Sequence, residues 1–308
     1  MQISLSIVGL NVGGPSPVDA LVGNLAKLRD EGFRRIWMAQ LPYDADLPIA
    51  LGIALREVDG IEVGSGVIPI QVQHPMQLAQ RALTLSLIGG GRFALGIGMS
   101  HRMVVEGVWG ASWDKPVRQM REYLDGLQPL LAGRAADASG DFWTTRGSLQ
   151  IPGAPAPDVY LAALGPQMLR LAGRRTRGTL TWMTGPRTLA EHVVPTLRGA
   201  AAEAGRAESD VRVAASLPVS VTDDVDGARR QAAEEFAIYG TLPSYRAMLD
   251  REGYAGPEDA AIIGDEQTVS ERLDELSAAC VDEFTASVFD SSPEGRARTR
   301  ALLLTKQT

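Results

Sequence analysis

The sequence predicts an α/β protein of the TIM (β/α)8 barrel class, with insertion segments. Three observations predict it. Eight short apolar runs alternate with eight helix-spaced segments, a rhythm that builds a parallel sheet. The 308 residues accommodate a barrel of roughly 250 residues plus insertions. The rival, a doubly wound open sheet, would leave two edges for a long series of apolar strands to protect, which closure avoids. The expectation is therefore one barrel domain over 1–308, interrupted at 133–157 and 240–266.

Ile3, Leu5 and Ile7 alternate with polar residues, as in a strand ending near Gly9. Asn11, Gly13, Gly14 and Pro15 form the turn that follows. Ser16-Pro17 then caps and opens a helix carrying Leu21, Leu25 and Leu28, which Gly32 stops. Strand 36–39 ends at Gln40-Leu41, and helix 47–55 follows. Strand 61–68 contains Gly64 and Gly66, and His74-Pro75 opens the next helix. Strand 93–97 is followed by a helix from Pro116 with Met120, Leu124, Leu127 and Leu131. Residues 140–143 and 148–151 suggest a small hairpin within the first insertion. Strands 159–163 and 179–183 are each followed by Gly-Pro and a helix. Strand 211–221 leads to a helix over 225–239, and residues 240–266 are expected to be irregular. Thr268 and Glu271 form a capping box for another helix. Strand 284–289 precedes the last helix, opened by Ser292-Pro293.

Composition narrows the function. A net charge of −7 argues against nucleic acid or an anionic membrane as partner. Cys280 is the only cysteine, so no intrachain disulfide forms, as suits a reducing cytoplasm. Its apolar neighbours predict a buried helix-end residue. Residues 1–18 lack a basic start and read as strand and turn rather than an export signal. There is no nucleophile elbow, no Walker loop and no metal-ligand spacing, so a metal centre is not expected.

The stretch Gly89–His101 is the pivot. A glycine cluster ends a helix, an apolar strand follows, and the strand finishes on Gly98-Met99-Ser100-His101, where backbone can approach a ligand. Gly96-x-Gly98 lacks the third glycine and the acidic partner of a dinucleotide fingerprint. Gly64 and Gly66 allow either tight packing inside the barrel or a bulge. Gly165-Pro166 and Gly185-Pro186 each set a helix start beside a strand end, which is either ordinary capping or an anion site. Arg170, Arg174, Arg175 and Arg177 form a basic cluster, on a solvated face or against an acidic tail. Among the histidines, His74 is expected to cap its turn and His192 to lie mid-helix on the surface. His101 alone falls at a strand end, with an ordinary pKa suited to proton transfer.

These motifs, in this order, resemble the bacterial luciferase-like superfamily. They are Gly64-x-Gly66-Val67, His74-Pro75, Gly91-Arg92-x-x-Leu95-Gly96-x-Gly98, Ala162-Ala163-Leu164-Gly165-Pro166, Trp182-Met183-Thr184-Gly185-Pro186 and Pro243-Ser244-Tyr245. The match extends to its coenzyme F420-dependent branch. The resemblance implies a homodimeric barrel that takes F420, or alternatively FMN, together with a small-molecule substrate. It implies a cis peptide at Gly66–Val67 and a cofactor site built from Gln40, Gly66, Val67, Gly98, Met99, Ser100, Ala163, Leu164, Gly165, Pro166, Met183, Thr184 and Gly185. The implied activity is hydride transfer at the deazaflavin C5, with His101 as the catalytic candidate. An FMN-dependent monooxygenase and a non-catalytic binding protein are the alternatives. Relatives carry an acid and a histidine after the second strand, where this chain has Gln40 and Leu41.

Overall fold

The computed structural model describes residues 1–9 and 16–307, so the turn expected at Asn11–Pro15 lies outside the described residues. In chain order the first elements are β1 (Gln2–Val8), α1 (Pro17–Glu31), β2 (Arg35–Ala39), α2 (Leu47–Glu57), β3 (Glu62–Ser65), β4 (Ile68–Pro69), α3 (Pro75–Ile88) and β5 (Phe93–Gly98). They are followed by α4 (Arg102–Gly107), α5 (Pro116–Leu131), the hairpin β6 (Ala136–Ser139) and β7 (Thr144–Gly147), and β8 (Val159–Ala162). Next come α6 (Pro166–Arg175), β9 (Gly178–Trp182), α7 (Pro186–Thr188), a π turn (Leu189–Val193), α8 (Val194–Glu203) and β10 (Arg212–Val221). The chain closes with α9 (Val225–Glu235), α10 (Ala237–Thr241), α11 (Pro243–Glu252), β11 (Ile262–Gly264), α12 (Glu266–Ala278), β12 (Glu283–Val288) and α13 (Pro293–Thr305). Eight strand positions, each followed by helix, make this the α/β TIM-barrel class. The chain divides into two compact units, Ile7–Ala162 and Met1–Ser6 with Ala163–Thr308.

In the first unit β2, β3, β5 and β8 pair in parallel, with Trp37 opposite Gly64, Gly64 opposite Ala94 and Gly96 opposite Tyr160. The glycine at 64 has a steric reason: a Cβ there would collide with the Trp37 ring. Trp37 in turn packs edge-on against Tyr160 at 5.2 Å, and both rings are fully buried. The strand expected over 61–68 is interrupted after Ser65 and resumes at Ile68. Ser65 bridges the interruption, donating to the Gly96 carbonyl and accepting from the Gly96 N–H at 2.8 and 2.9 Å.

In the second unit β9, β10, β12 and β1 pair in parallel. Trp182 lies opposite Ser216, Ser216 opposite Thr285 and Thr285 opposite Ser4. β11 adds a short parallel strand along the end of β10. Aliphatic side chains of α6, α8 and α12, among them Leu169, Leu197, Leu273 and Leu276, are buried.

Several expectations are corrected. The hairpin runs 136–139 with 144–147, and residues 140–143 are its turn. The turn is set from outside by Glu122 of α5, whose carboxylate accepts from Phe142 N at 2.8 Å. Residues 240–266 are mostly ordered, as α11, a 3-10 turn at Pro257–Asp259 and β11. The helix expected to reach 239 stops at Glu235. Helix α12 is capped by Asp265, which accepts from Thr268 N, so Thr268 is inside the helix and is not its cap. Cys280 is exposed, with φ +60° just beyond that helix.

Candidate functional site

Catalytic groups in barrels of this class collect at the C-terminal strand ends. In the unit Ile7–Ala162 three of those ends adjoin. The Gly66–Val67 peptide is cis. Its neighbours tie it to β2: Gly66 N donates to Met38 O at 2.6 Å, and Gln40 N donates to Val67 O at 3.3 Å. Gly98, at the end of β5, is small because Val67 and Ala162 leave no room; a Cβ there would lie 2.8 Å from Val67 Cγ2. Gly66, Val67, Met99, Ser100 and His101 are half-buried and so remain accessible from one side.

Gln40 does not extend into open space. Its Oε1 accepts from Leu47 N at 2.7 Å and its Nε2 donates to Leu41 O at 2.9 Å, which closes the loop leading into α2. The side chain therefore shapes the turn. His101 occupies the N-cap position of α4 but makes no side-chain cap bond. Burial lowers its pKa below the ordinary 6.5, so the ring is neutral at pH 7. His74 caps α3 as expected, its Nδ1 accepting from Met76 N at 3.2 Å.

In the second unit the two Gly-Pro helix starts differ. At Gly165-Pro166 no side chain caps α6, and the space around Gly165 is clear. Ala163 is buried and Leu164 half-buried, while Gly165 and Pro166 are exposed. At Gly185-Pro186 the start is filled by the carboxylate of Glu252. It accepts from Arg187 N (3.0 Å), Thr188 N (2.7 Å) and Thr188 Oγ1 (2.6 Å). Met183 and Thr184 are fully buried, and Met183 adopts φ +54°, a left-handed conformation that costs a non-glycine residue roughly 1–2 kcal/mol. Of the arginine cluster, Arg174 pairs with Glu203 at 2.7 Å, which leaves less free positive charge than the sequence suggests, and Arg177 is held by donation to the Ser209 carbonyl.

The comparisons with known proteins bear on the family and the fold. The family model described as luciferase-like monooxygenase matches residues 8–283. The chain belongs to this family. An uncharacterized protein of Mycobacterium tuberculosis is 30% identical over 244 residues, 74% of this chain and 70% of the relative. A 5,10-methylenetetrahydromethanopterin reductase of Methanolobus tindarius is 28% identical over 252 residues, 81% of this chain and 76% of the relative. The fold matches that of the coenzyme F420 dependent tetrahydromethanopterin reductase of Methanopyrus kandleri with a TM-score of 0.80 at 21% identity, covering 100% of this chain and 99% of that one. A monooxygenase of Streptomyces bottropensis gives the same TM-score at 18% identity, covering 99% and 98%. This luciferase-like chain has no group of three metal-ligating side chains among its described residues, and no helix there is long and apolar enough to cross a membrane.

Three features of the luciferase-like chain escaped sequence reasoning. Glu252 lies 67 residues from Gly185 in sequence, so nothing local announces it as a cap. His192, expected on the surface, is buried, and its Nε2 lies 2.8 Å from the Leu164 carbonyl. Trp182, Phe236, Tyr239, Tyr245 and Phe289 form an edge-to-face cluster with centroid spacings of 5.0 to 5.9 Å. Burial raises the pKa of Tyr239 and Tyr245, so both phenols stay protonated. The only sequence signal for that cluster was the density of aromatics over 236–245.

Proposed function

We propose that this luciferase-like protein is an F420-dependent oxidoreductase that transfers a hydride between the deazaflavin and a small organic substrate. The reaction class is supported by its likeness to the methylenetetrahydromethanopterin reductases of Methanolobus tindarius and Archaeoglobus fulgidus. The structural observation that carries the reading is the open start of α6 at Gly165-Pro166. Its uncapped N–H groups suit a phosphodiester. The twin start at Gly185 supports the assignment, because it already holds an anion, the Glu252 carboxylate.

When bound, the deazaflavin supplies hydride chemistry at its C5. The chain's own residues bind and orient. Gly66, Val67 and Gly98 offer a backbone wall within their own unit, and the uncapped N–H groups of the α6 start suit the phosphate end. His101, neutral at pH 7, accepts a proton from the substrate or orients it by a hydrogen bond. Its folded pKa lies below 6.5, so a rate that needs the neutral ring falls only as pH drops through that lower value. The linked stability has the same sign. The unfolded chain takes up this proton first as pH falls below 6.5, so the fold loses stability between there and the folded pKa and gains nothing above.

The FMN-dependent monooxygenase reading is favoured by the family description itself, and a non-catalytic binder by the loss of Gln40 to the loop. Titration of the purified protein with F420 and with FMN separates the first two. Hydride exchange in the bound cofactor separates either from the third. Tighter binding of FMN than of F420 sinks the proposal.

A homodimer in the cytoplasm completes the reading. Between α2 and α3 lies a groove flanked by Ile49 (66% exposed), Ile53 (42%) and Ile88 (41%), with Gly52 at its floor. Arg56, Glu57 and Arg81 on its rim carry both signs of charge, so the face can meet its own two-fold copy. Light scattering should give twice the chain mass, and Ile53→Glu should halve it.

A further inference from the structure

We infer that His192 is a positioning residue for the cofactor's phosphate end: it fixes the Leu164 carbonyl, and with it the turn that opens α6. This inference rests on the F420 reading above. A carbonyl can only accept, so the Nε2 at 2.8 Å carries the proton and donates. The bond joins the π turn Leu189–Val193 to the residue just before Gly165.

Two longer hydrogen bonds among the described residues also hold the strand side of the turn. Ala163 N reaches Leu180 O at 3.4 Å, and Thr179 Oγ1 reaches Ala163 O at 3.4 Å, both at the limit of hydrogen bonding. Beyond Leu164, Gly165 has no side chain and Pro166 has no N–H to give. At 2.8 Å the bond from His192 is shorter than the 3.4 Å bond from Thr179, so it holds the residue next to the open helix start more firmly.

The π turn accounts for how a mid-helix histidine gets there. Val194 N bonds back five residues to Leu189 O, an interruption of the α ladder of the kind often found at functional sites. The turn is itself anchored. Glu252 holds the preceding turn at Arg187 and Thr188, and Gly173 of α6 packs with no room for a Cβ against the Leu197 carbonyl of α8. The imidazole therefore projects from a fixed frame onto the Leu164 carbonyl. It makes no contribution to hydride transfer in this assignment; its effect passes through the backbone of 164–166.

The test measures dissociation constants for two ligands, F420 and the same deazaflavin stripped of its phosphate and tail. The proteins are the full-length wild type, His192→Leu, His192→Gln and Gly165→Leu. His192→Leu should weaken F420 about tenfold and leave the stripped ligand within about twofold. His192→Gln, whose amide can still donate toward Leu164, should recover most of the loss. A residue that merely supports the fold would weaken both ligands alike or lower only Tm. Equal weakening of both ligands overturns the inference. So does unchanged F420 affinity in His192→Leu while Gly165→Leu weakens it. If Gly165→Leu also leaves F420 binding unchanged, the phosphate assignment at α6 fails and the inference goes with it. Should His192→Leu not fold, His192→Asn, whose shorter amide falls away from Leu164, carries the same expectation.

Discussion

The two Gly-Pro helix starts of the second unit share a sequence pattern and have opposite fates. Both follow a barrel strand, both place glycine at the N-cap in an extended conformation, and neither has a cap within its own segment. Yet a Cβ at Gly165 would meet nothing within 4 Å, whereas one at Gly185 would lie 2.5 Å from the Glu252 carboxyl carbon. One start is open to an incoming anion; the other has recruited an anion from α11. A helix start advertises an anion site, and the rest of the fold decides whether the protein fills it from within.

On the F420 reading proposed above, the α6 start takes the anion and His101 handles the proton. The largest expected effect tests that division. His101→Ala should lower turnover by roughly 10²–10⁴-fold with F420 affinity little changed. Turnover surviving within about threefold, under 1 kcal/mol of barrier, would make His101 structural. A fall in affinity instead would end the division of labour.

Next in size is Gly185→Leu. The side chain must displace Glu252, which leaves buried Thr188 with only its long 3.5 Å bond to the Met248 carbonyl, and the expected loss of stability is about 3 kcal/mol. Denaturant unfolding checks it; an unchanged midpoint would mean that the Glu252 cap contributes nothing. Gly165→Leu should do the reverse. Stability should fall by only about 1 kcal/mol, the difference between glycine and an apolar residue at an N-cap, because the position is exposed and open. F420 affinity should fall at least about tenfold, or roughly 1.4 kcal/mol. Equal affinity would reduce the α6 start to an ordinary cap.

The smallest effect is Gly165→Asp. It supplies the open start with the carboxylate that Gly185 obtains from Glu252. Glycine is only a few tenths of a kcal/mol worse than Asp as an N-cap, so Tm should rise by about a degree or less while F420 binding weakens by competition. Tighter F420 binding in this variant would show that no anion enters there.

Much of the fold was legible because it is written in local periodicity. The apolar spacing of α5, the Ser16 and Ser292 caps and the alternation in β1 each depend on residues a few positions apart. The errors fell where a distant group intervened. Glu122 set the hairpin turn at 140–143, and the helices of 240–266 form without a strong apolar stripe of their own. Of the site, the glycines and His101 were legible as strand-end residues. The internal use of Gln40 by Leu47 was not.

By itself, then, the sequence determined the eight-fold alternation, the family and the two Gly-Pro helix starts, since each is encoded within a short window of chain. Only the tertiary structure decided that Glu252 closes one start, that His192 is buried against Leu164 and that Cys280 faces solvent. Those outcomes depend on which side chains packing brings within hydrogen-bond range from far along the chain, and no local pattern encodes that distance.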